Sequence, residues 1–250
     1  MHYKYLKKII GTIGFKLVDK NLVKNERLLS KYSGLSLNKI LNNLFLNNEI
    51  KSVIQIGAND GQRFDILNYF IKKYYPFGVF IEPIKSNFDK LKKNYSDQNN
   101  LFFENLAISV NNEITKLYKV KDAMLHYYDD HVVGITSFNK QHLIKHGVKK
   151  NHIIKVDVKS ISIRDLLVKY SINNLDLISI DTEGYDGSIV IDFLKNNKLR
   201  PVIIFEYIHV DCMILKNTFD LLKECNYTFF KIDENIICIQ KDKSKKLQLF

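Results

Sequence analysis

From residue 51 onward, short β-branched runs alternate with stretches of helical period. Ser52-Val-Ile-Gln-Ile-Gly57 reads as a buried strand running into a turn, and Phe77-Gly-Val-Phe-Ile-Glu82 as a second. Between them Phe64, Leu67, Phe70 and Ile71 share one face of a helix predicted over 63–74. Pro83 stops the second strand and suits the opening of a helix over 84–94. A third strand falls within 101–109 and another over 114–120. Residues 121–142 show no period and are rich in Asp, His and Tyr, which predicts a functional or mobile loop. Residues 152–158 alternate like a strand, and Ser162 is placed to cap a helix through 170 with Asp165 in its first turn. Leu175-Asp-Leu-Ile-Ser-Ile180 and Pro201-Val-Ile-Ile-Phe-Glu206 are further buried strands, with a helix to about residue 195 between them. A helix near 217–225 leads to strands over 227–232 and 236–240, joined at Asp233-Glu234-Asn235 as an antiparallel hairpin. This alternation predicts an α/β fold of Rossmann-like type: a mostly parallel sheet, helices on both faces and a C-terminal antiparallel hairpin.

The 250 residues suit one domain over 51–240, between a helical, basic extension at 1–50 and a basic tail at 241–250. The net charge of +11 sits in those flanks: residues 1–50 carry +6, 241–250 carry +3, and the centre only +2. Four arginines stand among 38 basic residues, and lysine is poorly suited to bidentate reading of phosphates or bases, so nucleic acid is not expected as a partner. Leu6, Ile9, Ile10, Ile13 and Leu17 recur at helical spacing among lysines. That stretch is either a helix docked on the main domain, the reading Gly11 and Gly14 favour, or one lying on an anionic membrane surface. The three cysteines are widely spaced and form no C-x-x-C pair, which fits a reducing compartment. No apolar run is long enough to span a bilayer and no secretory pattern opens the chain, so the expected location is cytoplasmic, with peripheral contact at the inner membrane face the alternative.

In an open α/β sheet the ligand lies beyond the carboxyl ends of the strands. The first strand ends in Gly57-Ala-Asn-Asp-Gly61, whose glycines allow a sharp turn and close approach to a ligand. The second ends in Glu82, a carboxylate with two oxygens at diol spacing. The third ends near Asn105 and Ala107, a polar and a small side chain suited to the rim of an adenine. The later strands end in Asp181 with Glu183, and in Glu206. The glycine turn is G-x-x-x-G and not the G-x-G-x-x-G of dinucleotide enzymes, which argues for a nucleoside without a pyrophosphate.

Val53-Ile-Gln-Ile-Gly-Ala-Asn-Asp-Gly61 resembles the first motif of class I S-adenosylmethionine-dependent methyltransferases, and Phe80-Ile-Glu-Pro83 the motif that follows it. Leu177-Ile-Ser-Ile-Asp-Thr-Glu-Gly184 is similar to the late acidic motif of the FkbM family, and Val158-Lys-Ser-Ile-Ser-Ile-Arg-Asp-Leu166 and Pro201-Val-Ile-Ile-Phe-Glu206 match its layout. The likeness covers about residues 50–208. It implies an O-methyltransferase acting on a hydroxyl of a sugar, glycan or natural product, with S-adenosylmethionine as cofactor. By the same resemblance Gly57, Asn59 and Gly61 border the methionine part, Glu82 holds the ribose, Asn105 and Ala107 flank the adenine, and Asp181 lies near the amino group or the transferred methyl. Family members often carry Asp where this chain has Gln55, which cannot pair ionically with the cofactor's ammonium.

A hydroxyl acceptor needs a base or a metal to unmask it. Asp181, Glu183 and Glu206 are candidates to share a divalent ion, Mg or Mn by their oxygen ligands, with Asp181 and Glu206 the foremost; alternatively one carboxylate or His209 acts as base. His126, Tyr127, Tyr128, His131 and Ser137 are candidate contacts for a small-molecule, sugar or lipid-linked glycan acceptor. Two other classes stay open: a nicotinamide-dependent oxidoreductase, which would share the sheet and Glu82, and a catalytically inactive glycan-binding module, toward which Gln55 points.

Overall fold

The computed structural model describes residues 36–109 and 115–246. The amphipathic stretch 6–17 and the end of the basic tail lie outside the described residues. Contacts divide the chain into two units, 1–40 and 41–250, and the second holds every described strand. A helix α1 (Leu37–Leu46) precedes the sheet.

Seven strands build the main sheet: β1 (Ser52–Ile56), β2 (Phe77–Ile81), β3 (Leu101–Glu104), β8 (Leu177–Ile180), β9 (Val202–Glu206), β10 (Tyr227–Ile232) and β11 (Asn235–Gln240). Their order is β10-β11-β9-β8-β1-β2-β3. β3, β2, β1, β8 and β9 are parallel, and β11 runs antiparallel between β9 and β10. The chain builds outward from β1 to β3, then restarts at β8 on the other side of β1. The order therefore reverses between β1 and β8, where a crevice opens above the strand ends. Ile54, Ile56, Val79, Ile81, Ile178, Ile203 and Phe205 are all buried, so these strands read as unbroken apolar runs rather than alternating ones. Helices α6 (Ile163–Lys169), α7 (Asp186–Asn196) and α8 (Cys212–Glu224) contribute Leu166, Phe193 and Leu222 to that core. The helices α2 (Asn68–Tyr74) and α3 (Lys85–Asn94) connect β1 to β2 and β2 to β3, and Tyr95, just after α3, meets Phe80 edge-on at 5.3 Å between ring centroids.

The structure departs from the sequence expectation in four places. The helix expected over 63–74 starts only at Asn68, and Phe64 is 75% exposed at a φ of +60°. Asp60 and Asp65 capture the main-chain N–H groups of Gln62, Arg63 and Leu67, and those local turns displace the first helical turns. The third strand splits: after Glu104, β4 (Ala107–Ile108) leaves the sheet to pair with β7 (Ser160–Ile161). The expected loop 121–142 is a string of short helices, a 3-10 turn (Asp122–Tyr127), α4 (Asp130–Gly134) and the start of α5 (Lys140–Lys145), packed beside the antiparallel pair β5 (Thr115–Val120) and β6 (Ile153–Val158). Finally, α8 begins at Cys212 because Asp211 accepts from the N–H groups of Met213 and Ile214.

The turn after β1 threads between two other main chains. The N–H groups of Gly57 and Ala58 both donate to the Ile81 carbonyl, at 2.9 and 3.0 Å, and Asp181 N–H donates to the Ile56 carbonyl at 2.9 Å. Gly57 sits at φ +79°, and a Cβ there would overlap the Asp181 carbonyl oxygen. Neither neighbour is a side chain that can turn away. Gly57→Ala is therefore expected to cost more than about 4 kcal/mol, read as loss of a cooperative thermal transition or of soluble expression.

Candidate active site

A cavity of about 250 Å³ lies over the carboxyl ends of β1, β2, β8 and β9. Its walls include Gln55, Gly57, Ala58, Asn59, Glu82, Ala107, Asp181, Glu183 and Glu206. The turn of the β10–β11 hairpin adds Glu234 and Asn235, and the segment after β5 adds Gly134, Thr136 and Phe138.

Glu82 is the best-fixed group. Oε1 accepts from Ile84 N–H at 2.8 Å and Oε2 from Asn59 N–H at 2.9 Å. Each oxygen keeps a second lone pair toward the cavity. Burial raises its pKa to about 7 against these two hydrogen bonds. Asn59 reaches its position through a φ of +49°.

Not every expected residue reaches the cavity. Gly61 takes φ +69° and turns toward α3, where a Cβ would stand 2.5 Å from Leu91 and Tyr95; its glycine serves packing there. Asn105 donates to the main-chain carbonyls of Glu82 and Pro83, at 2.9 and 3.0 Å, and so shapes the turn after β2 without lining the cavity. Ala107 does line it. In the 121–142 segment, Ser137 is buried and donates to the Glu183 carbonyl at 3.0 Å. Tyr128 pairs with His152 at 2.8 Å, and His126 meets Tyr127 in a tilted ring contact outside the cavity lining. The His131 side chain lies outside the described residues.

Asp65 was not anticipated. It is partly buried, lines the cavity, and accepts from Gln55 Nε2 at 3.0 Å, Leu67 N–H at 2.8 Å and Tyr95 OH at 3.1 Å. Burial raises its pKa despite those donors. Gln55 itself is buried, and its Oε1 finds no hydrogen-bond partner among the described residues. Gln55 and Asp65 thus present one orphaned carbonyl and one carboxylate side by side. The cue was a buried-strand glutamine ten residues before an acid in a turn-rich segment.

The loop after β8 is held by Asp186, fully buried at the start of α7, which accepts from Thr182 Oγ1 at 2.9 Å and Gly184 N–H at 3.1 Å. This grip keeps Glu183 at φ +54°, a strained state for a residue with a side chain. Gly184 passes so close to the His209 carbonyl that a Cβ would stand 2.9 Å from it. Glu183 Oε2 meets His142 Nε2 at 2.8 Å and His209 Nε2 at 3.7 Å, and Glu206 Oε2 lies 3.9 Å from His209 Nε2. Burial would raise the Glu183 carboxyl, but the hydrogen bond to His142 and the charges of His142, His209 and His146 hold it below the usual range. Asp181 opens onto the cavity yet is otherwise enclosed by protein; burial, then Asp186, Glu183, Glu82 and Asp65, push its carboxyl well up. Burial with Asp181, Glu183, Asp186 and Glu234 raises Glu206 to about 9. Asp181 is in neither of the two clusters with metal-ligand spacing among the described residues, which are His142 with His146 and His209, and Glu183 with Glu206 and His209. Sequence reasoning missed His142 and His146, although H-x-x-x-H on a helix places both rings on one face.

The arrangement is an anionic pocket in a basic chain, with a diol-spaced carboxylate beside a glycine turn. A family model described as methyltransferase FkbM domain matches residues 55–229. Among solved structures, the FkbM methyltransferase from Methylobacillus flagellatus KT aligns at 14% identity over 76% of this chain and 43% of its own, with a TM-score of 0.45. This chain thus spans less than half the length of that protein. An O-methyltransferase from Bacillus cereus in complex with SAH aligns at 10% identity over 95% of this chain and 97% of its own, with a TM-score of 0.43. A comparison with curated proteins finds no match.

The Glu82 carboxyl makes stability depend on pH in a definite direction. Its pKa is about 7 in the folded state against an ordinary 4.5, so its contribution is full below 4.5 and is lost as pH rises through 7. Glu82→Gln does not titrate. In urea unfolding without ligand, the stability of wild type relative to this variant should fall between those two pH values by up to roughly 3 kcal/mol.

Proposed function

The chain belongs to the FkbM methyltransferase family, and on that premise we propose that it transfers a methyl group from S-adenosylmethionine to a hydroxyl of a sugar, glycan or natural product. The observation that carries the cofactor reading is the charge of the cavity. Asp65, Glu82, Asp181, Glu183, Glu206 and Glu234 all line it. A sulfonium and an ammonium relieve their mutual repulsion, whereas a pyrophosphate would add to it, which disfavours a nicotinamide dinucleotide.

In this reading the free lone pairs of Glu82 accept the ribose hydroxyls, and Gly57 and Asn59 border the methionine part. Ala107 flanks the adenine. Gln55 cannot pair ionically with the ammonium, but its partner Asp65 supplies that charge, and Gln55 Oε1 gains the donor it lacks. The anomaly at Gln55 is thereby absorbed without invoking an inactive module.

Methyl transfer is an in-line displacement from a neutral leaving group, so alignment and exclusion of water carry most of the work. Asp181 is the group for the acceptor's proton. Burial and then its acidic neighbours raise its affinity for a proton, and a sulfonium beside it favours the carboxylate that accepts one. The acceptor O–H proton passes to Asp181 as the oxygen bonds the methyl carbon, and the C–S electron pair stays on sulfur. With the sulfonium gone, Asp181 holds the proton until products leave. The acceptor is a small sugar or a lipid-linked glycan approaching past Thr136 and Phe138. No helix among the described residues is long and apolar enough to cross a membrane, and the basic N-terminal stretch is the part proposed to touch a membrane surface.

Glu82→Ala should abolish binding of S-adenosylmethionine and S-adenosylhomocysteine in calorimetry. Asp181→Ala should retain binding and lose about 10²–10⁴-fold in turnover, measured with labelled methyl donor and a panel of deoxysugar and polysaccharide acceptors. Normal binding in the first variant and normal turnover in the second would defeat the assignment.

A further inference from the structure

Three imidazoles meet beside the acidic loop at the cavity's edge. His142 and His146 lie one helical turn apart, on α5 and at its C-terminal cap, where His146 N–H donates to the His142 carbonyl at 3.2 Å. His209 arrives from the opposite direction, in the loop between β9 and α8. The ring centroids stand 4.2 Å apart for His142 and His209, 4.6 Å for His142 and His146, and 5.1 Å for His146 and His209. Their ligand nitrogens all lie within 4.8 Å of one another. Two segments distant in sequence, with Glu183 from a third beside them, thus deliver lone-pair donors to one small volume.

We propose that His142, His146 and His209, with Glu183 beside them, form a binding site for one divalent first-row transition cation of the zinc type. Two bonds of 2.0–2.1 Å at a tetrahedral angle put neighbouring ligand atoms about 3.3 Å apart. The distances from Glu183 Oε2 to His142 Nε2 and His209 Nε2, 2.8 and 3.7 Å, straddle that value, so a small rotation of the rings suffices. Glu206 Oε2, buried and without a hydrogen-bond partner among the described residues, lies 3.9 Å from His209 Nε2 and gives a further oxygen. Imidazole-rich ligation selects zinc, cobalt, iron or nickel over magnesium. This differs from the ion expected at Asp181 and Glu206 in both ligands and metal. The strained Glu183 and the close pass of Gly184 against His209 then have a common use, because both bring the loop after β8 onto the imidazoles.

The site itself needs no cofactor. Its role rests on the methyl-transfer reading: an ion held here, beside Glu183 and Glu206 of the cavity wall, would supply Lewis-acid chemistry toward an acceptor hydroxyl.

The test uses the untagged full chain, stripped with a chelator and titrated with Co²⁺ while visible ligand-field absorption is followed. One Co²⁺ per chain is expected, displaced by Zn²⁺, with no saturable uptake of millimolar Mg²⁺. His142→Ala and His209→Ala should each weaken Co²⁺ binding by at least about 100-fold, while circular dichroism reports an intact fold. If either alanine variant fails to fold, His142→Gln and His146→Gln replace it with the same expectation. Wild type that takes up no Co²⁺, or variants that bind it as wild type does, would overturn the proposal. Binding of S-adenosylhomocysteine to the metal-free chain is measured in parallel; it reads the nucleoside pocket alone, so failure of the methyl-transfer reading is seen separately.

Discussion

The site depends on one crossing of main chains. The turn after β1 lies between the Ile81 carbonyl, which accepts two of its N–H groups, and the Asp181 carbonyl, which leaves no room for a side chain at Gly57. This crossing fixes the distance between the ends of β2 and β8, and hence between Glu82 and Asp181. Because Asn59 N–H then donates to Glu82, the same turn also orients the carboxylate. Position, spacing and orientation all follow from backbone hydrogen bonds, which are harder to perturb than side-chain contacts.

Much of this was legible in the sequence, and the reason is physical. Buried parallel strands must be continuous apolar runs, so all the parallel strands of the main sheet stand out, and the α/β architecture with them; the methyltransferase assignment came from the resemblance of the motifs at the strand ends. The strand ends stand out for the same reason, which is why Gly57, Glu82, Ala107, Asp181, Glu183 and Glu206 were found to share one cavity. Legibility failed where local side-chain bonds compete with periodicity. Asp60 and Asp65 unwind the start of the expected helix, and Asp65 turns inward as a result. The 121–142 segment shows no period because its helices are barely longer than a turn. Gly61 and Asn105 occupy the right segments but face the scaffold, a matter of rotation that spacing alone does not report.

The electrostatics separate the cavity from the rest of the molecule. A chain of net +11 encloses a pocket whose titratable lining is almost wholly acidic. Arg63, the arginine in that lining, is bonded to Asp60 at 2.7 Å. The carboxyls respond by taking protons: Glu82 to about 7, Asp186 to about 6 and Glu206 to about 9. Glu183 goes the other way, because the hydrogen bond to His142 and the charges of His142, His209 and His146 outweigh its burial. Glu183 and Glu206 both flank His209, yet their carboxyls shift in opposite directions, so the hydrogen bond from His142 and not mere nearness to an imidazole decides the sign.

The sheet order carries a consequence for how the chain is made. Among the described residues β11 is the last strand in sequence but an interior one in space, pairing with β9 on one side and β10 on the other. A ribosome-bound chain that has already emerged through β9 still exposes that strand's open rim to solvent. Only when residues 235–240 leave the exit tunnel can the rim close, and with them come Glu234 and Asn235 to finish one wall of the pocket. Closure of the pocket thus waits on β11, and the interval before it is when stray edge pairing with other nascent chains must be held off.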